Sequence, residues 1–173
     1  MTAQPDRRLR QAIQSVGGQP KLRTLVESFY KLRRELPPLF ERHWREIALD
    51  QEQVPLAPDW DRYLAYTATK VLHVTTARAP SGALVGYIFN LVGPHLHYVD
   101  TKHAEIEMFW LAPEYRGGWF PIRWMRKNEK YLKSLGVKRV LVSVKIHFKD
   151  ARVGKLFERL GYKPAEIVYG KVL

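Results

Sequence analysis

The sequence predicts an α/β protein with a mixed sheet, and three observations lead to this fold class. Helical apolar stripes fill the first third of the chain, and β-rich segments separated by turn residues fill the middle. Two further helical patterns are inserted among the later strands. Helices followed by a meander of strands with inserted helices favour a sheet that helices cover. A length of 173 residues suits one domain with a sizeable core.

Four helices are predicted before the first strand. Residues 6–16 suit a short basic helix before Gly17-Gly18, and residues 21–36 carry an apolar helical stripe that ends at Pro37-Pro38. Residues 39–49 read as a third helix. Asp59 is the expected N-cap of a fourth helix over residues 60–67.

Six strands are predicted after these helices. The first two form a hairpin around Pro80-Ser81-Gly82, and β-branched or apolar runs indicate the others. The predicted strands cover residues 71–77, 83–92, 96–99, 104–111, 138–146 and 165–172. Between the last two of these, a helix capped by Asp150 is expected to bury a stripe that includes Phe157 and Leu160.

The segment 103–136 organises the prediction, because a strand, a basic glycine turn and a helix follow one another there. Strict alternation places Ile106, Met108 and Trp110 on one face of the strand. The turn Arg116-Gly117-Gly118 leads into an amphipathic helix, and Gly136 ends it. Backbone N–H groups without partners converge at such a helix N-terminus, which makes it a general anion site.

Charge and composition limit the class of protein. The net charge is +12, and residues 116–163 hold 14 of the 29 Lys and Arg residues but only three acidic ones. Such a surface attracts a polyanion, either nucleic acid, a membrane surface or coenzyme A, or it is simply solvated. The absence of cysteine excludes disulfides, thiolate metal sites and a cysteine nucleophile. Without a membrane-length apolar run or a signal peptide, a cytoplasmic or particle-associated location is expected.

Two blocks of sequence resemble the GNAT acetyltransferase family. The run LAPEYRG at residues 111–117 is similar to the opening of that family's acetyl-CoA pyrophosphate loop, written Q/R-x-x-G-x-G/A. The run DARVGKLFERLGY at residues 150–162 is similar to its later helix, which ends in leucine, glycine and an aromatic residue. The resemblance covers about residues 70–173. The segment VPLAPDWDRY and the ending Tyr169-Gly170-Lys171 look most like members encoded by tailed bacteriophages.

The resemblance implies a mostly antiparallel, twisted sheet flanked by helices and an activity that moves an acetyl group from acetyl-CoA to an amine. Residues 37–173 would form the GNAT-like domain and residues 1–36 an N-terminal helical extension. The family's backbone donors for the acetyl carbonyl and pantetheine arm would come from Phe109, Trp110 and Leu111. The family's phosphate loop would correspond to Arg116, Gly117, Gly118 and Trp119. Trp119 and Pro121 stand where the family has glycines.

The resemblance also implies catalytic residues, and here the chain departs from the family. Glu105 matches the strand glutamate that serves as base in histone-type members, and Glu107 is a second carboxylate on the same face. Phe157 stands nearest the family's tyrosine acid, and Asp150 stands near a common asparagine. Tyr162, Tyr115, His147 or water would then have to protonate the leaving thiolate.

Other functions stay open at this point. The altered loop and the missing acid also fit a catalytically silent fold that serves as a structural part of a phage particle. The basic half, with tryptophans among its arginines, equally suits nucleic-acid binding. His95, His97 and His103 have metal-compatible spacing, but no acidic pattern accompanies them, and we predict no metal site.

Overall fold

The computed structural model describes residues 21–145 and 152–173, and a five-stranded sheet lies at its centre. The strands follow one another in the sheet in chain order, β1-β2-β3-β4-β5. All neighbours are antiparallel except β4 and β5, which are parallel and joined by a helical crossover. The predicted mixed, mostly antiparallel sheet is confirmed. Its strands are β1 (Arg23–Glu27), β2 (Leu72–Arg78), β3 (Leu84–His95), β4 (Tyr98–Leu111) and β5 (Arg139–Val142).

Helices flank this sheet on both faces, and the two larger of the three hydrophobic clusters lie one on each face. One face packs against the first three helices through a cluster that includes Phe29, Phe40, Tyr87 and Trp110. The other face packs against the last two helices through a cluster that includes Trp124. The α-helices of the described residues are α1 (Phe29–Leu32), α2 (Leu36–Ile47), α3 (Trp60–Ala68), α4 (Phe120–Ser134) and α5 (Arg152–Arg159), and a short 3-10 helix spans Pro113–Tyr115.

The prediction of a helix over residues 21–36 is wrong, because β1 occupies the first half of that segment. β1 pairs with β2 from Arg23 opposite Arg78 to Glu27 opposite Val74. The Arg78 guanidinium binds Glu27 and, at 2.9 Å, Glu35, so an ion-paired cluster ties the segment to the sheet edge. Cross-strand pairing therefore outweighs the local helical stripe. The helix predicted over residues 6–16 lies outside the described residues.

The helix predicted over residues 39–49 is confirmed, but it begins earlier than expected. Pro37 and Pro38 lie in the first turn of α2, where proline's missing N–H has no partner to lose. They start this helix rather than end the preceding one. α3 also follows the prediction, since the Asp59 side chain accepts a hydrogen bond from the Arg62 backbone N–H at 2.9 Å.

Two of the predicted strands are wrong. Residues 96–99 do not form a separate strand, because β4 begins at Tyr98 and runs without interruption to Leu111. Residues 165–172 form no strand and pair with none of the described strands. Their apolar side chains are exposed, with Ile167 at 72% and Val168 at 74%. β-propensity alone does not make a strand without a partner.

A β-bulge in β4 corrects the predicted alternation of its side chains. Phe89 of β3 lies opposite Met108 and Asn90 lies opposite Ile106, so Glu107 is an extra residue without a partner. Ile106 consequently packs on the α4 side of the sheet together with Phe109 and Leu111. Met108 and Trp110 pack on the α2 side. The predicted common face of Ile106, Met108 and Trp110 is therefore wrong.

A buried polar cluster joins the sheet to α4. The Asn90 and Asn128 amides exchange hydrogen bonds, and the Thr75 hydroxyl donates to the Asn128 carbonyl oxygen at 3.0 Å. Asn90 also donates to the His73 carbonyl at 3.0 Å. These side chains are almost fully buried, and the hydrogen bonds offset the cost of burying their polar atoms.

Candidate functional site

Strands β4 and β5 separate at the edge of a large cavity. Their pairing ends where Ile106 lies opposite Val142, so the second half of β4 has no strand on that side among the described residues. The cavity there has a volume of about 1150 Å³. Residues 106–111 line one wall, residues 142–145 and α5 line the opposite wall, and α2 together with the N-terminus of α4 completes the lining.

Three of the predicted cofactor-binding residues lie on the β4 wall. Phe109, Trp110 and Leu111 all line the cavity. Their β3 side is used in the sheet, as in the pairs Ile88 with Phe109 and Gly86 with Leu111. Because none of the described strands pairs with their other side, backbone groups that point away from β3 face the opening.

The turn from β4 into α4 brings Gly117 and Gly118 to the same cavity. Both glycines have positive φ angles, +122° and +58°, which suits residues without a side chain. α4 begins at Phe120, and the N–H groups of its first turn have no acceptor within the helix. Trp119 is 71% exposed and does not line the cavity, so its bulk lies away from the opening. Pro121 does line it and provides no N–H.

Arg116, the basic residue of the predicted phosphate loop, is already engaged within the protein. Its Nε donates to the Leu111 carbonyl at 2.7 Å, and its guanidinium binds both carboxylate oxygens of Glu46 on α2. Glu46 also accepts a hydrogen bond from the Trp110 indole at 2.9 Å. Burial alone would raise the pKa of Glu46, but the hydrogen bonds from Arg116 and Trp110 lower it below its usual value. Arg116 therefore fixes the turn to β4 and to α2.

α2 contributes cavity residues that the sequence analysis missed. His43 Nδ1 lies 2.9 Å from the Tyr87 hydroxyl, and its ring stacks on Trp110 with centroids 5.9 Å apart. Burial lowers the pKa of His43 to about 4, so its imidazole is neutral at pH 7. His43 and Glu46 are three residues apart on a helix that was predicted correctly. That spacing, which places them on one helical face, is the signal that could have found them.

The two predicted catalytic carboxylates lie in different surroundings. Glu107 lines the cavity at the bulge. Burial of Tyr63 raises the pKa of that residue, and the negative charge of Glu107 raises it further. No described cation forms an ion pair with Glu107. Both carboxylates are exposed, but Glu105 lies opposite Leu91 in the paired part of β4 and does not line the cavity.

The structure brings none of the described candidate acids into the cavity. Phe157 is buried and lines it, at the position nearest the missing tyrosine. Tyr162 and Tyr115 lie outside the lining, and burial followed by the Glu129 charge raises the pKa of Tyr162. His147 and Asp150 fall outside the described residues. Among the described lining residues, hydroxyl groups come from Tyr87 and Ser143.

The histidines of the β3–β4 hairpin lie close together. The ring centroids of His95 and His103 are 5.2 Å apart, and those of His95 and His97 are 5.3 Å apart. Within residues 21–145 and 152–173, they form no group arranged to hold a metal ion. In the same part of the chain, no helix is both long and apolar enough to cross a membrane.

The sequence matches a family model over residues 28–162, and that model describes the acetyltransferase (GNAT) family. The chain therefore belongs to the GNAT acetyltransferase family. No curated protein gives a significant match. Neither the family model nor the solved structures address the predicted resemblance to phage-encoded members, which stays a prediction.

Solved structures share the fold at low sequence identity. An aminoglycoside acetyltransferase from an uncultured soil metagenomic sample has a TM-score of 0.70 and 13% identity, over 88% of this chain and 99% of that one. The ribosomal-protein-alanine N-acetyltransferase of Brucella melitensis biovar Abortus 2308 has a TM-score of 0.65 and 12% identity, over 88% and 99% of the two chains. A predicted acetyltransferase from Clostridium acetobutylicum, solved with acetyl-CoA, has a TM-score of 0.62 and 9% identity, over 87% and 96%.

Proposed function

We propose that this protein transfers an acetyl group from acetyl-CoA to a primary amine. The observation that carries the proposal is the opening between β4 and β5, which meets the N-terminus of α4 at one cavity. A volume of about 1150 Å³ is enough for a long cofactor and a small acceptor together, since typical ligand pockets measure ~300–1,000 Å³. Membership of the GNAT family supports the reaction class.

The residues around the α4 end suit the cofactor's phosphates. Gly117, Gly118 and the first turn of α4 offer backbone N–H groups, and the helix dipole favours an anion there. Lys145 and Arg159 add positive charge to the lining. The exposed backbone of Phe109, Trp110 and Leu111 would hold the pantetheine arm and the acetyl carbonyl. In this proposal Arg116 positions the turn, because Glu46 and the Leu111 carbonyl occupy its guanidinium.

Bound acetyl-CoA supplies an acetyl group activated as a thioester. Glu107 is the proposed base, since it lines the cavity and has no cation among the described residues. It accepts a proton from the substrate ammonium, and the amine nitrogen then forms a bond to the acetyl carbon. The carbon–sulfur bond breaks, and sulfur leaves with the electron pair. The nitrogen loses a second proton as the amide forms, and we assign the transfer of this proton to the thiolate to water, because the Tyr87 hydroxyl is hydrogen-bonded to His43.

Calorimetry with acetyl-CoA tests the proposal. We expect micromolar binding by the wild-type protein and thiol release when a panel of primary amines is added. Glu107→Gln should lower the turnover rate about 100-fold or more, the usual contribution of a general base. Glu105→Gln is the matched control, because that carboxylate lies on the same strand outside the cavity. Equal losses in the two variants would exclude Glu107 as the base, and absence of binding would exclude the reaction.

One observation favours a second candidate function, nucleic-acid binding. The exposed face of α4 carries five cations at helical spacing, and none forms an ion pair with a described acidic residue. They are Arg123, Arg126, Lys127, Lys130 and Lys133. The affinity for a single-stranded oligonucleotide should then fall steeply with salt, and acetyl-CoA should not change it. The structural role in a phage particle stays a prediction, which a lack of acetyl-CoA binding would favour.

A further inference from the structure

We infer that the acceptor is a primary amine carried on an apolar body of roughly aromatic size. The inference rests on the proposed function and adds the substrate class. It comes from the unequal distribution of charge and apolar surface around the cavity. One end of the cavity suits anions, and the other end, beside α2, suits a single cation with an apolar neighbour.

The anion-binding end lies at α4 and α5. Lys145 and Arg159 line the cavity, as does the α4 N-terminus, and the Glu46 carboxylate beside the glycine turn is bound by Arg116. A cationic acceptor is therefore repelled from this end. The cofactor's phosphates fit it, which leaves the end beside α2 for the acceptor.

Three carboxylates of the described residues line the cavity, but two of them are neutralised within the protein. Glu46 is bound by Arg116, and Glu114 is bound by Arg42 at 2.9 Å. His43 adds no positive charge at neutral pH, because burial lowers its pKa to about 4. Glu107 is left as the lining carboxylate with no ion pair to any described residue. One uncompensated negative charge selects one ammonium group.

The surface around Glu107 is apolar and aromatic. Met108 precedes Trp110 on the same side of β4, and Phe40, Trp44 and Leu56 lie across from them on α2 and the loop after it. Two of the polar groups of this wall are already used, since the Tyr87 hydroxyl bonds His43 and the Trp110 indole bonds Glu46.

This wall therefore discriminates between amines by the polarity of the group that carries the amine. A polyhydroxylated amine would leave several hydroxyl groups without partners here, which lowers affinity strongly. An apolar body gains from burial against Trp44 and Met108. A carboxylate on the acceptor would be repelled by Glu107 and would find Arg116 already bound by Glu46.

Titrations of the full-length protein, with and without saturating coenzyme A, test the inference through tryptophan fluorescence and calorimetry. The probes are 2-phenylethylamine, glucosamine and 3-phenylpropionate. We expect 2-phenylethylamine to bind at least about tenfold more tightly than either of the others. Glucosamine binding as tightly as 2-phenylethylamine, or no measurable binding of 2-phenylethylamine, would overturn the inference.

Three variants locate the binding. Glu107→Gln should weaken 2-phenylethylamine binding about tenfold, while Glu105→Gln should leave it within about twofold of wild type. Trp44→Ala should weaken the binding of 2-phenylethylamine but not the binding of methylamine, which has no apolar ring to bury. An unchanged affinity in Glu107→Gln with an intact thermal transition would refute the role of that carboxylate. A separate acetyl-CoA titration reports on the proposed function, so selective amine binding without acetyl-CoA binding would contradict the reaction and not the amine site.

Discussion

The side-chain amides of Asn90 and Asn128 hydrogen-bond each other reciprocally, at 3.0 Å and 2.9 Å, in the buried contact between β3 and α4. Each amide uses both its donor and its acceptor in this pair. The pair fixes α4 against the sheet, and the N-terminus of α4 lines the cavity. Stability and the geometry of the candidate phosphate site are therefore linked through two buried residues.

Asn128→Leu should lower the free energy of unfolding by about 2–3 kcal/mol, because Asn90 and Thr75 both lose a partner in a dry environment. Denaturant unfolding followed by circular dichroism measures the change. The double variant Asn90→Leu with Asn128→Leu should lose less than the two single variants together, since it leaves fewer polar atoms unpaired. A loss below about 0.5 kcal/mol in Asn128→Leu would contradict this account.

Gly86→Ala should destabilise the protein by about 1–3 kcal/mol through overpacking. A Cβ at this position would lie 2.8 Å from the Trp110 carbonyl oxygen and 2.9 Å from Leu111 Cδ1, so the backbone of β3 or β4 must move. Gly93→Ala is a matched control on the same strand, because a Cβ there has no neighbour within 4 Å. Thermal unfolding of both variants checks the prediction, and equal transition temperatures would contradict it.

His43 should make the protein less stable as the pH falls from 6.5 to 4. Its pKa is about 4 in the folded state and about 6.5 when unfolded, so the unfolded chain binds a proton that the folded chain does not. Above pH 6.5 His43 does not lower the free energy of unfolding. Between pH 6.5 and pH 4 its unfavourable protonation lowers that free energy by about 3 kcal/mol.

The comparison with His43→Gln isolates this effect. The variant should show a flatter dependence of unfolding free energy on pH between 6.5 and 5, where the lowered carboxylate pKa values of Glu27 and Glu46 contribute little. Urea titrations at several pH values give the two curves. His97→Gln, at an exposed histidine, should keep the wild-type slope. Parallel curves for wild type and His43→Gln would show that the buried imidazole is not the cause.

Arg116→Ala and Glu46→Gln should both weaken acetyl-CoA binding, and the double variant should be no weaker than Arg116→Ala. The reason is that the two residues act as a unit, which holds the glycine turn against β4 and α2. Calorimetric titration of the three variants measures this coupling. Tighter binding by Glu46→Gln would instead show that Arg116 is a phosphate ligand which Glu46 holds away from the cofactor.

Much of the fold could be predicted because local signals agreed with tertiary packing. Asp59 capped a helix and Gly136 ended one as their chemistry suggests, with Gly136 at a φ of +83°. The helix predicted over residues 21–36 failed for the opposite reason. Its first half is stabilised by pairing with β2 and by the Arg78 ion pairs, and neither partner is near in sequence.

The candidate site was partly visible in the sequence. Gly117 and Gly118 could be placed at the end of β4, since a strand, a turn and a helix follow directly. The role of Arg116 could not, because Glu46 lies 70 residues away on another helix. The difference between Glu105 and Glu107 was hidden for another reason. A bulge depends on the register with β3, and the sequence of β4 alone does not reveal it.

The extra residue at Glu107 determines how the length of β4 can change. Deleting one residue there would restore even alternation and exchange the two faces downstream, so that Trp110 would turn toward α4 and Phe109 toward α2. A relative without this residue would therefore have to exchange large and small side chains on both faces at once. Insertions or deletions of two residues would keep the faces intact, and a single one would not.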